Sequence, residues 1–255
     1  MTLSAPPCSH AAEIVGRGPR IADDLTPRTT RIRVAETFVS RQGEGERTGN
    51  ESLFIRTSGC NLRCRWCDTP YASWRPEGRW ETIDTLAAIS RPAAVGDVVL
   101  TGGEPLLWPA VPGLVERFQR EGVHVTVETA GTIDADLRPD LLSLSPKLAA
   151  STPRGRWASA HASRRLPIEV MKRLIDRAVR TQVKFVVADG DRMDEVDSIV
   201  RRLGVAPERV RLMPEGVTVG ALDAGLRRIQ PLADERGYAV SDRMQIRWYG
   251  NRRGT

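Results

Sequence analysis

Three cysteines stand close together in the segment Cys60-Asn61-Leu62-Arg63-Cys64-Arg65-Trp66-Cys67. Their spacing is C-x3-C-x2-C, and three thiolates this near in one loop can wrap one metal centre. A structural zinc ion wants four ligands, yet no fourth cysteine or histidine is near; His124 and His161 are distant in sequence. A four-iron cluster held by three cysteines keeps one iron open for a further molecule, as a substrate-binding cluster needs. Zinc completed by a distant ligand, or three unrelated thiols, are the bland alternatives. The spacing is far more specific than a lone C-x-x-C and favours the iron–sulfur reading.

Other segments carry polar groups in suggestive order. Ahead of the cysteines stand Arg41-Gln42-Gly43-Glu44-Gly45 and Phe54-Ile55-Arg56. An amide, a carboxylate and an arginine fork suit a ligand with a donor-rich edge and a carboxylate of its own. Alone they read equally well as a polar hairpin loop with a surface arginine. Asp68-Thr69 offers hard oxygen ligands after the last cysteine, or simply caps a turn. Thr101-Gly102-Gly103-Glu104, Glu128-Thr129-Ala130-Gly131-Thr132 and Ser145-Pro146-Lys147 follow at intervals. Lys147 is notable in a chain whose basic residues are arginine except for Lys147, Lys172 and Lys184.

These groups need elements to position them. Apolar patterning predicts strands over residues 31–38, 52–57, 97–101, 123–129, 141–145, 182–187, 210–213 and 244–248. It predicts helices over 82–90, 109–121, 168–180, 193–203 and 219–235. Strands alternating with helices imply an α/β fold with a mainly parallel sheet. The cysteine loop, the glycine pair, Glu128 and Ser145-Pro146-Lys147 all fall at strand ends, where parallel α/β folds build their sites. Four separate features are therefore expected to converge on one face.

With these motifs in view, the chain resembles the radical S-adenosylmethionine (SAM) enzymes, in their cysteine loop and their Gly-Gly-Glu segment. From about Val34 to Thr255 it resembles the 7-carboxy-7-deazaguanine synthases of that superfamily. The resemblance implies an incomplete radical SAM β/α barrel with about six parallel strands. It implies a [4Fe-4S] cluster on Cys60, Cys64 and Cys67, with SAM against Trp66, Cys67, Asp68, Gly103, Glu128, Ser145, Pro146 and Lys147. It implies Mg2+ on the Thr69 hydroxyl. The substrate, 6-carboxy-5,6,7,8-tetrahydropterin, would meet Arg41, Gln42, Gly43, Glu44, Arg56, Thr101 and the terminal carboxylate of Thr255. The reaction would contract the ring and release ammonia, giving 7-carboxy-7-deazaguanine for 7-deazapurine (queuosine-type) biosynthesis. No side chain need be the main acid or base, since the cofactor carries the chemistry. The C-terminus would fold over the site. Tyr249, between Trp248 and Gly250, departs from the family's W-G-N-x-R-G ending and bears on the register of the last strand.

The 255 residues and 27% charged content suit a soluble globular protein and exclude a collagen-like or wholly disordered chain. Residues 1–30, with several prolines and no apolar period, read as a tail holding an inert Cys8 and His10; 31–255 read as one catalytic domain. No run of transmembrane length and no signal-like segment is evident, so a cytoplasmic, membrane-free location is expected. The net charge of +6 weakly suggests an anionic partner, but the arginines are scattered along the chain. Expected partners are the pterin, a reductant such as flavodoxin or ferredoxin, and a second copy in a homodimer, with no nucleic acid. The rivals are a glycyl-radical-enzyme activase, which would leave Gln42–Gly45, Asp68-Thr69 and the C-terminus unexplained, and a zinc-bearing nucleic-acid binder.

Overall fold

A computed structural model of the protein describes residues 30–93, 95–189 and 193–255. Of the tail expected over residues 1–30, residues 1–29, with Cys8 and His10, lie outside the described residues. In chain order the elements are β1 (Arg31–Arg41), β2 (Glu51–Thr57), β3 (Arg79–Thr82), α1 (Ile83–Ala93), β4 (Asp97–Gly102), α2 (Val111–Arg120), β5 (His124–Thr129) and β6 (Leu141–Leu144). They continue with α3 (Ala158–Arg164), α4 (Ile168–Arg177), β7 (Arg180–Val187), α5 (Met193–Leu203), β8 (Val210–Pro214), α6 (Val219–Asp234), β9 (Ala239–Val240) and α7 (Met244–Tyr249).

The strands form one open sheet in the order β3-β1-β2-β4-β5-β6-β7-β8-β9. From β2 to β9 every pairing is parallel, while β1 runs antiparallel to both β2 and β3. The expected six parallel strands are β2, β4, β5, β6, β7 and β8; the two-residue β9 extends them, and the sheet does not close into a barrel. Helices cover one face, so the central strands alternate: Val125 and Val127 of β5 and Val183 and Phe185 of β7 are buried in the core, while Glu128 and Lys184 turn to the face that carries the site. α2 shows how the helices dock: Val111, Leu114, Val115 and Phe118 recur at the helical period and are buried against the sheet. Each such side chain stabilises the fold by roughly 1.5–3 kcal/mol.

Two local features aim side chains at the ends of the strands. β1 shifts register between Val34 and Glu36, and such a bulge turns a side chain that regular pairing would direct elsewhere. Glu36 there meets Arg56 of β2. At the end of β4, Gly102 has a φ of 135°, a conformation side chains disfavour. A Cβ on Gly103 would overlap the carbonyl oxygens of Gly59 and Ala72. The glycine pair thus lets β4 exit against the start of the cysteine loop, with Gly103 N donating to Thr57 O (3.0 Å) and Glu104 N to Gly59 O (2.9 Å).

One predicted element is corrected. Residues 244–248 were expected as a strand because Met244, Ile246 and Trp248 alternate with polar residues; they form the helix α7 instead. The sheet edge is already taken by β9. The Met244 N–H donates to Gly43 O rather than to a ladder partner, and Gly250, at φ 73°, ends the helix after Tyr249. The short β3, α3 and β9 were not predicted, being too brief to show a period.

Candidate active site

The strand ends open into two adjoining cavities. The first, of about 210 Å³, is lined by Cys60, Cys64, Trp66, Cys67, Gly103, Ser145, Pro146 and Lys147 among others. The second, of about 460 Å³, is lined by Arg41, Gln42, Gly43, Arg56 and the C-terminal run from Gly250 to Thr255. Glu44, Asp68, Thr69, Thr101, Gly102, Glu128 and Arg243 border both and form the junction. Every residue expected at a site therefore lies on a cavity wall. The expected SAM and cluster residues border the first cavity. The expected pterin residues border the second, and Thr69 stands where the two meet.

The cysteine loop begins three residues after β2 and is held from several sides. Arg65 N donates to Ser151 O (2.9 Å), and Trp74 Nε1 donates to Cys64 O (3.0 Å). Arg63 N donates to Nδ1 of the buried His161 (3.1 Å), whose Nε2 meets Ser151 Oγ (2.9 Å). Since Nδ1 accepts, Nε2 carries the proton, and Ser151 Oγ passes its own to Leu148 O (2.7 Å). Burial, with Arg165 and Lys147 nearby, pushes the His161 pKa down and keeps the ring neutral. His161 is thus brought to the cysteines by the fold, but as a brace with both nitrogens occupied, not as a fourth ligand.

Burial, reinforced by Glu104, pushes the Cys60 thiol up to about 12, and burial also raises Cys64. Such thiols stay protonated until a bound cation draws the proton away. Among the described residues no three His, Cys, Asp or Glu side chains are grouped for a single metal ion. A cluster spreads its thiolates over separate irons, and three thiols on one cavity wall without a fourth protein ligand fit that donor set. Glu104, fully buried, accepts from Leu106 N (3.1 Å), Thr129 Oγ1 (2.7 Å) and Ala130 N (3.0 Å). It clamps the ends of β4 and β5 together.

A line of charge crosses the junction. Thr101 Oγ1 donates to Glu128 Oε2 (2.8 Å), and Lys184 Nζ stands 3.7 Å from Glu128 Oε1. Lys184 also pairs closely with Glu44, which receives Arg243 Nε (3.2 Å) and Gln245 Nε2 (2.7 Å). Arg243 continues to Asp68 and to Gly216 O (2.7 Å). Burial alone would raise the Glu44 carboxyl, but Lys184 and Arg243 overcome it and bring it down to about 2. The ionised carboxylate is ready to accept N–H groups. In the second cavity Arg56 Nε pairs with Glu36 (2.7 Å), which also accepts from Tyr71 OH (2.7 Å) and Arg253 Nε (3.1 Å). Arg253 lies 4.1 Å from the Tyr71 ring centre, so the C-terminal run is tied down across the cavity mouth. Lys147 turns back onto Ser145, donating to its O and Oγ (both 2.9 Å).

Sequence reasoning missed Lys184, Arg243, Gln245, Glu36 and Tyr71. Lys184 left a signal: like Lys147, it is a rare lysine in an arginine-rich chain, and both line the first cavity. Glu36, an acid inside an apolar strand segment, left another.

An open, mostly parallel sheet whose strand ends carry three cysteines beside a Gly-Gly-Glu turn defines a radical SAM protein. The sequence pattern of the radical SAM superfamily matches residues 54–203, more than half of the chain. The QueE structure from Escherichia coli shares the fold with a TM-score of 0.59 at 23% identity, covering 83% of this chain and 93% of that one. Among curated proteins, the 7-carboxy-7-deazaguanine synthase of Rhodopirellula baltica is 54% identical over 253 residues, covering 98% of this chain and 96% of the relative. That of Halobacterium salinarum is 42% identical, covering 84% and 88%. The chain belongs to the 7-carboxy-7-deazaguanine synthase family.

Proposed function

We propose that this chain converts 6-carboxy-5,6,7,8-tetrahydropterin to 7-carboxy-7-deazaguanine, with SAM in the first cavity and the pterin in the second. The observation that carries this division of labour is the sorting of the expected residues onto two adjoining walls. Cys60, Cys64 and Cys67 would hold the [4Fe-4S] cluster. When bound, cluster and SAM supply the carbon radical that takes a hydrogen from the substrate. Thr69 would offer its hydroxyl to Mg2+, which prefers hard oxygen ligands and keeps positions for substrate oxygens.

The chain's own residues bind and orient. Glu44, kept ionised by Lys184 and Arg243, accepts from the donor-rich edge of the pterin. Arg56 faces the substrate carboxylate, its charge secured by Glu36 against the cost of burial. Thr101, hydrogen-bonded to Glu128, stands between pterin and SAM. The C-terminal run shields the second cavity from water, and Thr255 on its wall directs the terminal carboxylate to the substrate. The reading also takes in a protein reductant, a homodimer, a cytoplasmic setting and one catalytic unit over residues 31–255; these rest on the family resemblance. The test is anaerobic turnover of reconstituted enzyme with the carboxypterin, SAM, Mg2+ and reductant. Failure to form the deazaguanine under those conditions refutes the reading.

A further inference from the structure

The outer side of the cysteine loop has a distinct electrostatic character. Cys60 borders the first cavity, and it also borders a small surface concavity formed with Asn61, Arg63, Trp157 and Arg164. The protein is therefore about one side chain thick between solvent and the expected cluster. Between Asp140 and Glu169 the sequence has no acidic residue, and the loop 60–67 has none either. The fold brings these two acid-free segments together through the Arg65–Ser151 and Arg63–His161 hydrogen bonds. Trp157 is flanked by the guanidiniums of Arg63 and Arg156, each 5.1 Å from its ring centre. Arg65, Arg154, Arg156 and Arg164 are exposed, and none has an acidic partner among the described residues. Arg165 and Arg236, by contrast, are neutralised by Glu195 and Asp197.

We infer that this arginine face is the docking surface for an acidic one-electron carrier protein. The inference rests on the reading that Cys60, Cys64 and Cys67 hold an iron–sulfur cluster. One electron leaves the carrier, which is oxidised, and enters the cluster, which is reduced; no atom is exchanged. Unpaired positive charge around the thinnest wall steers an acidic partner to the point of closest approach, and it suits transient binding because few apolar groups are exposed there. Folding thus brings Arg63, Arg156 and Arg164 together around Trp157 and the concavity behind Cys60.

The test uses the full-length reconstituted enzyme, flavodoxin as the carrier, and the double variant Arg154→Glu/Arg156→Glu. Neither residue lines the two large cavities. Calorimetric titration with oxidised flavodoxin should show affinity falling roughly tenfold or more in the variant at low salt. The parent's affinity should fall steeply as the Debye length shortens from ~30 Å at 0.01 M to ~10 Å at 0.1 M ionic strength. Bleaching of the cluster's visible absorption by reduced flavodoxin should slow by a similar factor. Bleaching by dithionite at high salt should not change. Arg156→Gln, which removes one charge without reversing it, should fall between parent and double variant. Equal flavodoxin affinity in parent and variants, or a parent affinity insensitive to salt, overturns the proposal. So does a filter-binding assay in which the parent retains tRNA and the double variant does not, while flavodoxin affinity stays intact. Failure of the underlying reading looks different: there is then no cluster absorption for either reductant to bleach.

Discussion

Lys184 provides the sharpest test of the junction. Lys184 is 6% exposed, its ammonium lies between Glu44 and Glu128, and among the described residues no other cation pairs with both. Lys184→Met keeps most of the side-chain volume and removes the charge. Glu44 then stays buried with Arg243 and Gln245, and Arg243 is shared with Asp68. Breaking a buried pair by deleting one partner costs about 3–5 kcal/mol, because the remaining charge loses its counterpart but not its burial. Both members are well shielded, with side-chain exposures of 7% and 16%, so solvent screens little of this. Against a total stability of roughly 5–15 kcal/mol, that is a large share. For a chain of this size it corresponds to a fall in Tm of about 6–20 °C. Equilibrium denaturation of the parent, Lys184→Met, Glu44→Gln and the double variant closes a thermodynamic cycle. The double variant should be markedly more stable than the sum of the single losses predicts, since it removes both charges. Additive losses, or a Lys184→Met variant within about 1 kcal/mol of the parent, would refute the ion-pair reasoning.

Three further outcomes follow from the same geometry. Gly103→Ala places a methyl group into the Gly59 and Ala72 carbonyls, so the cysteine loop must shift; iron content after reconstitution should drop sharply, and full loading would contradict the close-packing argument. His161→Ala leaves the Arg63 N–H without its acceptor, costing about 1–3 kcal/mol, and should lower cluster retention during anaerobic gel filtration; unchanged stability and retention would show the brace to be dispensable. The Glu44 carboxyl, lowered from 4.5 to about 2, contributes stability that is complete above pH 4.5 and is lost as pH falls toward 2. In Lys184→Met the folded-state carboxyl moves back up toward its ordinary value, so this acid-linked loss should shrink, and a stability that falls between pH 4.5 and 2 as steeply as the parent's would speak against it.

The legible parts of this protein are those whose signal is local. The cysteine loop, the glycine pair, Glu128 and the Ser145–Lys147 segment are short contiguous motifs, and each sits at a strand end, where chain order alone predicts convergence. Helix α2 was legible for the same reason, its four buried residues repeating at the helical period. The illegible parts depend on distance. Lys184 meets Glu44 across 140 residues, and Arg243 meets it across 199. No local pattern announces such pairs. α7 misled because an alternating apolar pattern of five or six residues fits either a strand or one buried turn of helix. What decided it was whether the sheet edge still had bonds to offer, and β9 had taken them.

By itself, then, the sequence determined the grouping of the three cysteines and the order of strand-end motifs, because neighbours in the chain must remain neighbours in space. The fold alone set Gly103 against the Gly59 and Ala72 carbonyls, where a larger residue has no room. Only the tertiary structure decided which charges are neutralised and which are left free. It buried Lys184 and Arg243 between carboxylates at the junction of the cavities, and it left Arg156 exposed against Trp157, which lines the concavity behind Cys60, without an acidic partner among the described residues. The physical reason is that a charge's worth is set by its surroundings. Burial, distance and dielectric exist only once the sheet has brought distant segments together.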